Sequence, residues 1–294
     1  MQTASKIPDG KKVVYTSKEI IDNHFGYIQQ PPEPTQCPFC GKQLYYEGMV
    51  YNGVCIAWNL TEPQKCDCPE SAKARAEKEE AERLAETKAK QDRHQRRTES
   101  LISKSGMRRK YVSCTFESFR VTQQNNYAFR CVQDYANNFD QNAMRGKGIY
   151  LQGSNGTGKT HLAAALAMHL MRKGIPTIFR TANELLLDIR QGIDEDNEDS
   201  RLRRYYSVPL LVIDDLGKEK CTEWSIATLF DIVNRRYEDM MPTVITTNYT
   251  SAELVKRETT KDGDSETIKA VISRLHEMNQ CITMVWDDYR KGGA

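Results

Sequence analysis

The run Gly153-Ser154-Asn155-Gly156-Thr157-Gly158-Lys159-Thr160 constrains this chain more than any other stretch. It is a complete G-x-x-x-x-G-K-T, and its flanks have the required character. The apolar stretch Gly148 to Gln152 before it reads as a strand, and Lys159 to Arg172 after it reads as a helix carrying Leu162, Leu166 and Leu170 on one stripe, ended by Gly174 and Pro176. Glycines at 153, 156 and 158 allow backbone torsions that side chains forbid, so successive N–H groups of this eight-residue cradle can turn inward on phosphate oxygens. The helix N-terminus adds positive potential. Lys159 can neutralise phosphate charge, and the Thr160 hydroxyl is placed to ligate Mg²⁺.

A magnesium nucleotide site also needs a carboxylate at the end of a neighbouring strand. Leu210-Leu211-Val212-Ile213-Asp214-Asp215 supplies two after four aliphatics. Asp214, continuing the strand, is expected to hold Mg²⁺ through water, and Asp215 to polarise the attacking water. Val244-Ile245-Thr246-Thr247-Asn248 ends another aliphatic strand in an amide that can orient water and γ-phosphate. Short apolar runs alternate with amphipathic stretches from about Gly106 onward, the pattern of a parallel sheet covered by helices. Further strands are expected at Thr177 to Phe179 and Cys281 to Trp286. Capping boxes at Thr181/Glu184 and Thr250/Glu253 start helices, Glu223 to Asp239 and Glu266 to Glu277 are helical, and the acidic segment Asp194 to Asp199 is expected to be a loop.

The remaining 105 residues are of another kind. Residues 1–68 hold six of the ten prolines and five of the nine cysteines, a small turn-rich module. Cys37-Pro38-Phe39-Cys40-Gly41 is a zinc knuckle, and Cys66-Asp67-Cys68 can close a tetrahedral thiolate site if the residues between form a hairpin, with Cys55 or His24 as substitute ligands. Cys114, Cys131, Cys221 and Cys281 are scattered and read as buried filler. Residues 69–105 form a charged helical linker: Pro69 suits a first turn, and neither Gly nor Pro occurs from Glu70 to Thr98. Arg75 with Glu79, Glu79 with Arg83 and Glu86 with Lys90 are spaced to pair, while Leu84 alone gives no coiled-coil seam. With 42 basic and 40 acidic side chains the net charge is only +2, so any nucleic-acid site must be local. No apolar run is long enough to span a bilayer, and Met1 to Lys12 lacks the apolar core of a signal peptide, so a cytoplasmic protein without membrane contact is expected.

Residues 106–294 resemble the AAA+ replicative helicase loaders of the DnaC and DnaI group and the related IstB transposition helpers. The resemblance rests on Gly106 to Tyr111, Thr115 to Phe119, the glycine loop, Asp214-Asp215-Leu216-Gly217, Ile245 to Asn248, Ser273-Arg274-Leu275 and Trp286-Asp287-Asp288-Tyr289-Arg290. It implies an α/β fold, an AAA+ P-loop NTPase with a parallel sheet flanked by helices, that hydrolyses ATP slowly to ADP and phosphate under the control of DNA or a partner. It further implies a sensor-1 role for Asn248, an arginine finger at Arg274 acting on a neighbouring copy in a ring or spiral, and a sensor-2 role for Arg290. Lys218, Thr222 and Trp224 fall in the segment that faces single-stranded DNA in the family. Trp224, followed by Ile226, Leu229 and Phe230, fits a core position equally well. The cysteine module is similar to the one with which DnaI grips its helicase, so a hexameric DnaB-type replicative helicase is the implied partner, and the arrangement looks like a phage or prophage version. Two other readings stay open: an IstB-like helper that recruits a transposase, and a nucleotide-switched adaptor with negligible turnover in which Asp215 is inert.

Overall fold

The computed structural model describes residues 12–195, 197–259 and 265–289. The chain divides into two compact units, Met1–Gln91 and Asp92–Ala294. In the first, β1 (Val13–Thr16), α1 (Ser17–Asp22), β2 (Gly26–Tyr27), β5 (Glu47–Tyr51) and β6 (Val54–Trp58) make a sheet in the order β1-β5-β6-β2 with α1 against it. Between them β3 (Thr35–Gln36) and β4 (Gln43–Leu44) pair as a short antiparallel ribbon. The hairpin expected between the cysteine pairs is β5–β6, turned by Asn52 and Gly53, both at positive φ, the turn whose twist matches paired strands. Its core is minimal: Ile20, Val50 and Cys55 are buried, with Tyr15, Phe25 and Trp58 partly buried around them.

Helix α2 (Pro69–Ser105) covers the stretch expected to be a charged helical linker, and the division between units falls within it. Leu84 is exposed, and Glu86 pairs with Lys90 at 2.7 Å as its spacing predicts. Arg75 does not pair with Glu79. Its guanidinium donates instead to the Cys66 carbonyl (2.8 Å) and the Ser71 hydroxyl (3.0 Å), because a fixed carbonyl in the adjoining turn is a better partner than a mobile surface carboxylate.

The second unit continues through α3 (Arg109–Val112), α4 (Asn126–Asn137), α5 (Phe139–Met144), β7 (Gly148–Gly153), α6 (Lys159–Arg172), β8 (Thr177–Thr181), α7 (Ala182–Asp194) and α8 (Glu198–Ser207). There follow β9 (Leu210–Leu216), α9 (Glu223–Glu238), β10 (Thr243–Thr247), α10 (Ser251–Glu258), α11 (Ser265–Met278) and β11 (Asn279–Met284). The five strands pair in parallel in the order β11-β7-β10-β9-β8. Alternate strand residues enter two cores: Leu151, Val212 and Val244 pack with α4 and α6, whereas Tyr150, Ile213 and Ile245 pack with α7, α9 and α11. This makes a helix–sheet–helix sandwich, and it explains why the strands read as unbroken aliphatic runs.

The acidic loop expected at Asp194 to Asp199 is shorter than that, because helices enter it from both ends. α7 runs to Asp194 and α8 starts at Glu198. Glu195 of that segment and Asp188 before it serve as partners: Arg201 meets Asp188 (3.1 Å) and Glu195 (2.6 Å), and the Tyr205 hydroxyl donates to Asp188 (2.7 Å), tying α8 back onto α7. Among the described residues no helix is long and apolar enough to cross a membrane.

Candidate nucleotide site and cysteine cluster

β10 lies between β7 and β9, and Thr247 is in register with Gln152 on one side and Leu216 on the other. The glycine loop, the acidic strand end and Asn248 are therefore gathered at the carboxyl ends of the three inner strands by topology alone, where open α/β sheets bind ligands. Gly153 must be glycine, because a Cβ there would lie 1.9 Å from the Met284 carbonyl oxygen of β11. Gly158, at φ 93°, turns the chain into α6. Lys159 is buried, and its Nζ donates to the carbonyls of Gly153 (2.8 Å) and Ser154 (2.7 Å), which hold the ammonium at the loop.

Asp214 is the electrostatic centre. Its Oδ1 accepts from the hydroxyls of Thr160 (2.9 Å) and Thr246 (2.6 Å), whereas its Oδ2 is buried with no hydrogen-bond partner. Burial pushes its carboxyl up to about 6; the Thr246 hydroxyl opposes this and the Asp215 charge adds to it. A buried carboxylate oxygen without a partner is costly unless a cation meets it, and a carboxylate beside a threonine hydroxyl is a hard oxygen set suited to Mg²⁺. The residues therefore fit the ion.

Asp215 leaves the strand direction at φ 57°, its N–H donating to Thr246 Oγ1 (2.9 Å) and its carboxylate paired with Lys218 at 2.8 Å. Lys218, read as a DNA contact, thus has an ion-pair partner in the site itself. Thr222 caps α9, accepting from the Ser225 N–H (3.1 Å), and Trp224 is half-buried against the core with the Arg190 guanidinium 5.7 Å above its ring. Asn248 directly follows β10 and is half-buried. Arg274 lies on α11, its guanidinium 5.1 Å from the Phe230 ring centre and 5.9 Å from that of Tyr237 on α9. Arg290 lies outside the described residues.

Several neighbours of the site escape a reading of the sequence. Glu219 is buried, its Oε2 accepting from the Gly217 N–H (2.9 Å), so it shapes the turn after the acidic strand. His161 sits between the Ser118 hydroxyl (3.2 Å) and the Thr115 carbonyl (3.1 Å), binding that segment to the start of α6. The residues after β11 return across the phosphate loop. Trp286 Nε1 donates to the Thr157 carbonyl (3.1 Å), Tyr289 N–H to the Gly156 carbonyl (3.2 Å), and Ser154 Oγ to the Trp286 carbonyl (3.3 Å). No local pattern announces such a long-range return.

In the first unit the sulfurs of Cys37, Cys40, Cys66 and Cys68 all lie within 4.8 Å of one another, with Cys37–Cys68 at 3.8 Å and Cys40–Cys66 at 3.4 Å. Thiolates about 2.3 Å from a tetrahedral zinc stand about 3.8 Å apart, so this set fits that ion. Cys55 is not part of it; its thiol is in the small core, directed at the Ala57 carbonyl. His24 does not join the cluster either. The backbone N–H groups of Cys40 and Phe39 hold the Cys37 thiol down to about 6. At Cys68 the Ser71 N–H works in the same direction, but burial and the neighbouring thiols outweigh it and push that group up to about 12. Four thiolates at this spacing need a cation among them.

A family model described as IstB-like ATP binding protein matches residues 63–293. The replicative helicase loader DnaI of Bacillus subtilis (strain 168) is 26% identical over 186 residues, 62% of this chain and 59% of that protein. An insertion sequence IS5376 putative ATP-binding protein of Geobacillus stearothermophilus is 31% identical over 146 residues, 50% of this chain and 56% of that one. This chain thus spans less than two thirds of the length of either relative. The crystal structure of the DnaC helicase loader superposes with a TM-score of 0.53 at 29% identity, over 60% of this chain and 99% of that one. The fold of the second unit is the AAA+ P-loop fold.

Proposed function

From a chain that belongs to the IstB-like ATP-binding protein family, we propose an ATP-dependent loader that places a hexameric DnaB-type replicative helicase on single-stranded DNA. The observation that carries the nucleotide half is the buried, unpartnered Asp214 Oδ2 beside the Thr160 hydroxyl at the mouth of the glycine loop. Thr160 and Asp214 would hold Mg²⁺, which when bound would neutralise charge on the phosphate oxygens. Gly153 to Thr160 present backbone N–H groups to the phosphates, and Lys159 exchanges its carbonyl partners for phosphate oxygen. Asp215, once it parts from Lys218, accepts a proton from the attacking water, and Asn248 orients that water.

Arg274 completes the site of a neighbouring copy in a ring or spiral, and Arg290 meets the phosphates as the sensor-2 residue. Arg274 rests on aromatic faces, its guanidinium also donating to the Ala270 carbonyl (3.3 Å), and among the described residues no acidic partner competes for its charge. The turn from Lys218 to Trp224 tracks single-stranded DNA, Lys218 being free for a phosphate when Asp215 engages water. The four-cysteine unit binds zinc and grips the helicase.

The family description and the insertion-sequence relative favour a second reading, a helper ATPase that recruits a transposase. Co-purification with the cognate replicative helicase, with and without Mg·ATP, separates the two, followed by transfer of that helicase to a single-stranded DNA circle. Capture and transfer of the helicase is the expected result. Absence of any helicase complex while duplex DNA is bound supports the transposition reading instead.

A further inference from the structure

We infer that the segment Trp286–Tyr289 is a clamp that orients the phosphate loop, with Trp286 as a positioning residue for nucleotide binding. The inference rests on the nucleotide reading of the same loop. A trans peptide unit carries its C=O and the following N–H on opposite sides. The peptide bonds here are trans. Tyr289 N–H holds the Gly156 carbonyl toward the closing segment, so the N–H of Thr157 faces away from it. Trp286 Nε1 does the same to the Thr157 carbonyl, and the N–H of Gly158 turns with Thr157's to the far side, toward the cradle. Those two consecutive N–H groups lie within the loop's anion-binding nest.

Fixation from outside matters because this part of the loop is intrinsically loose. Gly156 and Gly158 adopt φ 77° and 93°, and their peptide planes can flip at little steric cost in the absence of a partner. The indole donor and the Tyr289 amide remove that freedom before any ligand arrives, which is preorganisation. A third bond, from Ser154 Oγ to the Trp286 carbonyl, ties the near side of the loop to the same segment. The close approach also restricts residue choice, since a Cβ on Gly156 would fall 1.6 Å from Asp288 Oδ1. The ring of Trp286 packs on the core formed with α6, so the clamp is anchored to the sheet that carries the loop.

The test is Trp286→Phe in the full chain, which keeps an aromatic ring on the core and deletes the N–H donor together with part of the indole, paired with Ser154→Ala, which leaves that packing untouched. Calorimetric titration with Mg·ATP and, separately, with magnesium pyrophosphate reads the effect, and circular dichroism with a thermal melt confirms folding. Loss of one neutral hydrogen bond predicts a Kd raised about three- to tenfold, by the same factor for both ligands because the N–H groups concerned meet phosphate and not base. Ser154→Ala moves both constants the same way by about twofold, and it serves if Trp286→Phe does not fold. A role in packing alone leaves both constants at the wild-type value in Ser154→Ala, which overturns the clamp. A loss confined to ATP, with pyrophosphate unaffected, overturns it too, because it puts the indole at the base or ribose. Wild-type protein that takes up neither ligand overturns the nucleotide reading beneath it instead.

Discussion

The two units solve the problem of staying folded in opposite ways. The second has a sheet buried on both faces by aliphatic side chains, with whole helices such as α6 almost entirely inside. The first has a hydrophobic core of three buried side chains, Ile20, Val50 and Cys55, and four thiols held close together. A core that small supplies too little burial to offset chain entropy, and under the proposed zinc reading the cysteine cluster contributes what packing cannot. The second unit can instead tolerate a buried carboxylate with a vacant lone pair, Asp214, as its stability is large enough to carry that local cost. One unit uses its polar cluster to fold; the other folds in spite of one.

The sharpest way to break this contrast is to test the proposed zinc of the first unit. Chelation, or Cys37→Ser, is expected to abolish a separate thermal transition of the first unit, since structural zinc contributes on the order of 10 kcal/mol, and to leave the transition of the second in place. Differential scanning calorimetry reads both at once, and a single transition that survives chelation unchanged refutes the contrast. Next in size is Arg274→Ala. It is expected to cut ATP hydrolysis about a thousandfold while Mg·ATP affinity and the melting temperature stay near wild type. Mixing it with Lys159→Ala chains restores turnover only if the arginine acts across copies, so the mixture distinguishes a unit complete in fold from one complete in chemistry.

A smaller effect sharpens the cost assigned to Asp214. Its carboxyl titrates near 6 in the folded chain against an ordinary value of 3.8, so the native state holds the proton more tightly and loses stability as pH rises through that window. Asp214→Asn without magnesium is therefore expected to stabilise the second unit above pH 6 by up to about 3 kcal/mol, with no gain near pH 4. Denaturant titrations at the two pH values check it. The same substitution should remove any magnesium-dependent rise in melting temperature.

Where chemistry depends on neighbours along the chain, the sequence was sufficient. The loop from Gly153 to Thr160, the aliphatic run ending in Asp214 and the capping boxes at Thr181 and Thr250 are local patterns, and each stands in the structure within a residue or two of its expected bounds. α8 was not legible because its stability comes from Arg201 and Tyr205 reaching Asp188, a tertiary arrangement that acidic composition disguises as a loop. Arg75 took a carbonyl in the knuckle region in place of Glu79 for a similar reason.

The residues themselves determined that a glycine-rich turn would join strand to helix, that an acid would end a buried strand, and that four cysteines stood at ligand spacing. The tertiary structure alone decided that β10 would lie between β7 and β9, bringing Thr246 as well as Thr160 to Asp214. It also decided that Cys55 would serve a core, and that Trp286 would return over the loop. The physical reason is range: torsional preference and side-chain periodicity act over a few residues, whereas strand order and the return of a distant segment are set by burying the whole chain at once.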